Sequence, residues 1–224
     1  DWVIEAVIER LDIKQNLYAN LDKFRLKDTI VSSNTSTIPM DELIAKSKAP
    51  FKKKFMITHF FNPPRYMRLL ELVTKNDTDP EAVERIRHFC DYRLGKTVVE
   101  CNDTPGFIAN RIGTYWLHCA VTEAIKQDID VETADAVLSK PVGFPRTGVF
   151  GLMDMVGLDL MPHVLSSLSN ALDKDDPFHA LGDAPKLLEK MIEDGYTGRK
   201  GKGGFYRLTK DKTKQALNLN DGSY

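Results

Sequence analysis

Two apolar runs, residues 55–61 and 67–74, stand either side of Pro63-Pro64, and no other stretch restricts the fold as tightly. Both runs are rich in aromatic and β-branched residues and read as strands. The prolines must end the first, because proline offers no N–H to a ladder and restricts the residue before it. A hairpin centred on Arg65 then sets His59 opposite Glu71 on one face. Asn62 falls three residues past His59, where strand gives way to turn. An imidazole at a strand end, a carboxylate in reach and an amide beside them are the parts of a general-base site. A blander reading stands beside this one. A lone His in an apolar run is more often a satisfied core or edge residue, and a Glu inside a strand usually sits on its wet face.

The residues before the hairpin give it a setting. Residues 2–7 form a short, nearly continuous apolar run, as a buried parallel strand would. Residues 11–24 space Leu11, Leu17, Leu21 and Phe24 for one helical face. A strand at 30–33, a polar loop at 34–37 and a short helix at 39–45 follow, with Thr37 or Ser36 as the cap and Pro39 in the first turn. Strand, helix, strand, helix, strand is the mark of a parallel α/β sheet with right-handed crossovers. Ligands bind such sheets at the carboxyl ends of the strands. Three polar clusters fall there: Ala6 to Glu9, Asn34 to Ser36, and His59 to Asn62. Asn34 and Ser36 also suit helix caps, and Glu9 a first-turn acid.

Residues 80–94 read as a helix carrying Val83, Ile86, Phe89, Cys90 and Leu94 on one side, ended by Gly95, and 96–101 as a closing strand. The clearest boundary is Asn-Asp-Thr-Pro-Gly at 102–106, beyond which the periodicity is wholly helical: 107–125, 131–139 capped by Asp130, a stretch from the 141–148 loop through Leu172, and 184–194. The apolar residues of 107–125 exceed one narrow stripe, so that helix is expected to be buried in its domain or against a partner subunit. The polar residues from Thr209 read as a linker or frayed end. The fold class expected is α/β followed by all-α, with units at 1–102 and 103–208 and a tail at 209–224.

A net charge of −1 gives no support for a nucleic-acid or anionic-membrane partner. Cys90, Cys101 and Cys119 are odd in number and widely spaced, which argues for reduced thiols in an intracellular setting without a zinc cluster. No run approaches the ~20 apolar residues of a membrane span. The start at Asp1, directly before a strand, looks like the middle of a domain. Gly195 to Lys202 has a P-loop's outline, but Gly203 stands where Ser or Thr is needed, and a tight turn is the better reading.

Six motifs in order resemble the L-3-hydroxyacyl-CoA dehydrogenases of fatty-acid β-oxidation. They are Val-Ile-Glu-Ala-Val-Ile-Glu at 3–9, Ser-Asn-Thr-Ser at 33–36, His-Phe-Phe-Asn-Pro at 59–63, Leu-Leu-Glu-Leu-Val at 69–73, Asp-Thr-Pro-Gly-Phe-Ile-Ala-Asn-Arg at 103–111 and Gly-Arg-Lys-Gly-Lys-Gly-Gly-Phe-Tyr at 198–206. The resemblance implies the second half of a Rossmann-type NAD-binding domain followed by a helical C-terminal domain. It implies that His59 takes the proton from the substrate 3-hydroxyl and that Glu71 holds the imidazole in its tautomer. Ser36 and Asn62 match groups that bind the substrate oxygens, and Asn110 a further active-site amide. Glu9 and Lys14 match cofactor contacts near ribose and nicotinamide, Ala6 and Asn34 share that rim, and Lys200 matches a contact from the C-terminal turn. On composition alone Lys14 would be a solvated helix lysine.

The resemblance has departures. Gly-x-Gly-x-x-Gly and the acid that binds the adenosine ribose are absent, so the first βαβ unit is missing and NAD is not told from NADP by the residues. The chain is expected to bind NAD weakly by itself. Residues 152–159 are closer to the large multifunctional β-oxidation proteins than to single-function enzymes. An acyl-CoA substrate, a homodimer through the C-terminal helices or docking to other modules, and a cytoplasmic or organellar-matrix location are implied. Two alternatives stay open: a sister dehydrogenase of free hydroxy or sugar acids, and a non-catalytic assembly module.

Overall fold

A five-stranded sheet whose central strands are buried on both faces builds the first of two units in the computed structural model, which describes residues 1–224. This unit, Asp1–Asn110, holds β1 (Trp2–Glu5), α1 (Leu11–Phe24), β2 (Ile30–Ser33), α2 (Met40–Leu43), α3 (Ala49–Lys52), β3 (Phe55–Phe60), β4 (Leu69–Val73), α4 (Pro80–His88) and β5 (Thr97–Cys101). The sheet runs β1-β2-β3-β4-β5. The first three strands are parallel, β4 turns back antiparallel to β3, and β5 lies parallel to β4. Alternation along β3 sends Phe55 and Ile57 into one apolar layer with Tyr18, Phe51 and Val73, and Met56 into the other with Leu70, Leu72 and Ile86. Two-sided burial explains why β3 reads as an unbroken apolar run.

Several boundaries differ from the sequence reading. β1 stops at Glu5, not residue 7, because the Glu5 carboxylate accepts the Val7 N–H (2.7 Å) and turns the chain. The helix expected at 39–45 is only Met40–Leu43, and neither Ser36 nor Thr37 caps it; the Met40 N–H donates to the Asp103 carboxylate (2.9 Å). The short α3 was not anticipated; Phe51, wholly buried, anchors it. α4 gives way to a wider turn, Phe89–Arg93, where the Leu94 N–H bonds back to Phe89 O five residues earlier (3.2 Å). That shift in phase leaves Phe89 and Leu94 exposed, although a regular helical spacing puts both on the buried side.

The second unit, Arg111–Tyr224, contains most of α5 (Ala109–Lys126), then α6 (Val131–Val137), α7 (Gly148–Val156), α8 (Leu160–Ala171), α9 (Lys186–Glu193), and a hairpin of β6 (Tyr206–Leu208) and β7 (Lys214–Ala216). Asp130 caps α6 by accepting the Thr133 N–H (2.7 Å). The expected single stretch through Leu172 is broken at Gly157, whose φ of +113° ends α7. On α5, Leu117 and Val121 enter the core while Ile112 stays 63% exposed. No single helix is long and apolar enough to cross a membrane.

Two expectations for the chain end are corrected. The unit is not wholly helical, and residues 209–224 are not a frayed tail. β7 pairs with β6, and Leu217 and Leu219 are buried among Val131, Val149, Phe150 and Phe205. These leucines sit between polar neighbours, so mean polarity hid two core positions. The glycine-rich turn is tight, as read. Asp154 accepts the Phe205 and Tyr206 N–H groups (both 2.8 Å), and a Cβ on Gly204 would come within 1.9 Å of its Oδ1. Burial, with the Asp135 charge nearby, pushes the Asp154 carboxyl up to about 6 against these hydrogen bonds.

Two outcomes follow. Leu217→Ala should cost about 2–5 kcal/mol in denaturant unfolding, against within ~0.5 kcal/mol for exposed Leu208→Ala; equal effects would restore the frayed-tail reading. Because the folded pKa of Asp154 lies above its unfolded value, this group adds stability as pH falls below about 6 and loses it as pH rises through that value. Asp154→Asn should remove a pH-dependent contribution on the order of 1–3 kcal/mol between about pH 4 and 6. A wild-type-minus-variant difference that stays flat over that window would contradict it.

Candidate active site

The hairpin register pairs His59 with Glu71. Nδ1 of His59 lies 2.7 Å from Glu71 Oε2, and both side chains are buried. The other carboxylate oxygen, Oε1, accepts the N–H groups of Ile108 (3.0 Å) and Ala109 (2.8 Å), the start of α5. One carboxylate therefore holds the ring and caps a helix together. Burial pushes the Glu71 carboxyl up, but the His59 ring and these two N–H groups more than reverse that, holding it below its ordinary value. In the neutral ring, an ionised carboxylate facing Nδ1 selects the tautomer with the proton there and the lone pair on Nε2. No group of the protein bonds Nε2. The ring lies against Phe61 and Phe107, with centroids 4.5 and 5.8 Å away.

The α5 connection was missed from the sequence. Gly106 (φ +73°) and Phe107 (φ +48°) bend the chain out of the β5 end so that the next two N–H groups reach Glu71. Phe107 holds a left-handed conformation that costs roughly 1–3 kcal/mol, and its buried ring packs with Val73 and Cys101. The available signal was Pro105-Gly106 directly before a helical pattern.

At the β1 end the composition-alone reading of Lys14 is overturned. Lys14 is not solvated: it is 1% exposed, and its ammonium bonds Glu5 Oε1 (2.8 Å), Glu9 Oε2 (3.1 Å) and Val7 O (3.3 Å). Three donors meet three acceptors, so none is left for a ligand. Glu5, not singled out from the sequence, also accepts the Tyr18 and Ser33 hydroxyls (both 2.6 Å). Burial pushes the Glu5 carboxyl up, and Lys14, Ser33 and Tyr18 together bring it below its ordinary value. Burial and the Glu5 carboxylate hold the Tyr18 hydroxyl well above its own. A glutamate inside an apolar strand run was the clue.

Glu9 ties the β1 end to the loop after β2. Its Oε1 accepts the Thr35 and Thr37 hydroxyls and the Ser36 N–H (3.2 Å). Asn34 Oδ1 accepts the Phe60 N–H (2.9 Å), linking that loop to β3. Glu9 and Asn34 are thus largely committed to holding strand ends. The Ser36 hydroxyl and the Asn62 and Asn110 amides make no hydrogen bond within the protein, and Ala6 is exposed. Asn62 precedes a cis peptide to Pro63. Asn110 follows the residue whose N–H Glu71 holds. Lys200 is exposed on the glycine-rich turn of the second unit. The first unit thus offers a free imidazole nitrogen, a hydroxyl and two amides on segments that follow strand ends. That donor and acceptor set suits the polar half of a nicotinamide nucleotide and an oxygenated substrate.

Residues 1–104 match the family model for the 3-hydroxyacyl-CoA dehydrogenase NAD-binding domain, and residues 106–208 that for the C-terminal domain. A relative from Rickettsia prowazekii (strain Madrid E), named "Putative fatty acid oxidation complex trifunctional enzyme", is 45% identical over 99% of this chain and 31% of its own length. The human mitochondrial hydroxyacyl-coenzyme A dehydrogenase is 33% identical over 92% of the chain and 63% of its own. Among solved structures, FadB2 of M. tuberculosis aligns with a TM-score of 0.80 at 33% identity, covering 93% of this chain and 70% of that one. The chain spans about a third of the length of the Rickettsia relatives.

The buried ion pair supplies a test of the site's frame. Lys14→Met leaves the Glu5 charge without its cation and should cost about 3–5 kcal/mol in urea unfolding, part of it recovered in the Lys14→Met/Glu5→Gln double variant. A cost under ~1 kcal/mol would mean that the lysine is dispensable to the β1 end.

Proposed function

The chain belongs to the 3-hydroxyacyl-CoA dehydrogenase family, and from that premise we propose that the protein oxidises a (3S)-3-hydroxyacyl-CoA to the 3-ketoacyl-CoA with NAD. The observation that carries this reading is His59 Nε2, left free while Nδ1 is held 2.7 Å from a buried carboxylate. The O–H bond of the 3-hydroxyl breaks and its proton passes to Nε2. The C3–H bond breaks, and its electron pair leaves with the hydrogen as hydride while C3=O forms. Bound NAD supplies the hydride acceptor. The imidazolium that results is stabilised by Glu71, whose carboxylate is kept ionised by the ring and the α5 N–H groups.

Ser36 and Asn62 bind the substrate oxygens in this proposal, because their polar groups are uncommitted. Asn110 supplies the further amide, on a helix whose start Glu71 fixes. Ala6, Glu9 and Asn34 form the cofactor rim at the strand ends, and Lys14 acts through Glu9 and not by direct contact. Lys200, on the glycine-rich turn of the second unit, keeps the cofactor role that the family resemblance implies. The name of the Rickettsia relative supports a place in fatty-acid oxidation. The exposed apolar residues of the second unit, such as Ile112, support a partner there, either a second copy or another module.

His59→Ala in the full-length protein should lower turnover of a 3-hydroxyacyl-CoA at least ~10²–10⁴-fold, the ordinary worth of a positioned general base, followed by NADH absorbance. Wild-type turnover would remove His59 from the chemistry. Turnover of the free 3-hydroxy acid equal to that of its thioester would replace the CoA assignment with the sister-dehydrogenase one.

A further inference from the structure

The second unit has a concavity of about 710 Å³ whose walls include Arg146, Arg199, Lys202, Arg207 and Lys214, with Asp154 as the one carboxylate. None of the five cations is in an ion pair with a carboxylate of the protein. Asp154 pairs directly with none of them, since it is buried and both its oxygens accept backbone N–H groups. Three of the five are nevertheless held by uncharged partners. Lys214 Nζ sits 3.5 Å from the Tyr206 ring centre, Arg207 lies 3.9 Å over Tyr224 and donates to Gln215 (2.9 Å), and Lys202 donates to Asp194 O (2.8 Å). Like charges fixed around one concavity repel, and low-dielectric walls focus their field. An anion with several charges relieves that repulsion, and guanidinium forks match phosphate oxygens in pairs. The volume lies within the ~300–1,000 Å³ usual for small-molecule sites.

We propose that this concavity binds the phosphate groups of a small molecule carrying a diphosphate or several phosphates. Arg199 and Gly201 flank Lys200 on the turn that carries the proposed cofactor contact, so the proposal borders that reading; the titration reads binding and not turnover, so loss of the His59 assignment leaves it standing.

The test is calorimetric titration of the 224-residue chain at low ionic strength with inorganic pyrophosphate, then with ADP. Saturable one-to-one binding is expected, weakened by added salt and at least ten-fold weaker in Arg146→Gln/Arg199→Gln, with circular dichroism checking that the variant is folded. Lys214→Gln serves as the second variant should the first not fold, with the same direction expected. ADP tighter than pyrophosphate would point to a nucleotide, and equal affinities to the phosphates alone; both support the site. Absence of saturation at millimolar pyrophosphate would overturn it, as would affinity untouched by the folded variant. Binding of poly-glutamate without pyrophosphate would reassign the surface to an acidic protein segment.

Discussion

The carboxylate of Glu71 is the interaction on which the candidate site depends. It receives the imidazole N–H through one oxygen and the first backbone N–H groups of α5 through the other. An isolated buried carboxylate would be driven toward its neutral form. Here three donors keep it charged, and a charged carboxylate is what sets the tautomer of His59. The same bonds fix where α5 begins, and with it the position of Asn110. The setting of the imidazole and the placement of the helix are therefore one constraint.

Burial of charge recurs at the next strand end. Lys14, Glu5 and Glu9 are held in a chain of short bonds with Tyr18, Ser33 and the loop after β2. A buried pair of this kind is weak evidence for stability, since well-packed apolar groups can match it. Its effect is on placement: a single lysine ties the end of β1 to α1 and, through Glu9, to the Ser36 backbone. Rigid strand ends are what a reaction needing a fixed distance between donor and acceptor carbon requires.

Much of this was legible in the residues. The Pro63-Pro64 punctuation fixed the hairpin register, so the pairing of His59 with Glu71 followed from counting. The alternation of apolar runs announced the parallel sheet. What was not legible shares one cause. Helix caps are sought among neighbours in the chain, and Ser36 and Thr37 are natural choices for α2, yet Glu9 takes the Thr37 hydroxyl and the Ser36 N–H, and the Ser36 hydroxyl caps nothing. Lys14 looked solvated because its partner Glu5 was hidden in an apolar run. The last sixteen residues looked like a tail because two buried leucines are diluted by polar neighbours.

Beside local caps such as Asp130 on α6, four are long-range. Asp103 takes the Met40 N–H at the start of α2, Glu71 takes those of Ile108 and Ala109 at α5, Asp135 takes those of Phe150 and Gly151 in α7, and Asp154 takes those of Phe205 and Tyr206 at β6. A local cap forms with its helix and reports only on that helix. A cap supplied from a distant element forms only once the tertiary arrangement is correct, and an error of one residue leaves a buried carboxylate and buried N–H groups unpaired. Glycines at the contacts enforce this: a side chain at Gly148 would strike Asp135, and one at Gly204 would strike Asp154. Placing the acids in this way spends desolvation on specificity of packing, and it accounts for half-buried Asp103 and buried Asp154, whose pKa values rise where those of Glu5 and Glu71 fall. Glu5 and Glu71 each face a cation or an imidazole; Asp103 and Asp154 face chiefly backbone N–H groups, which repay less of the cost of burying charge.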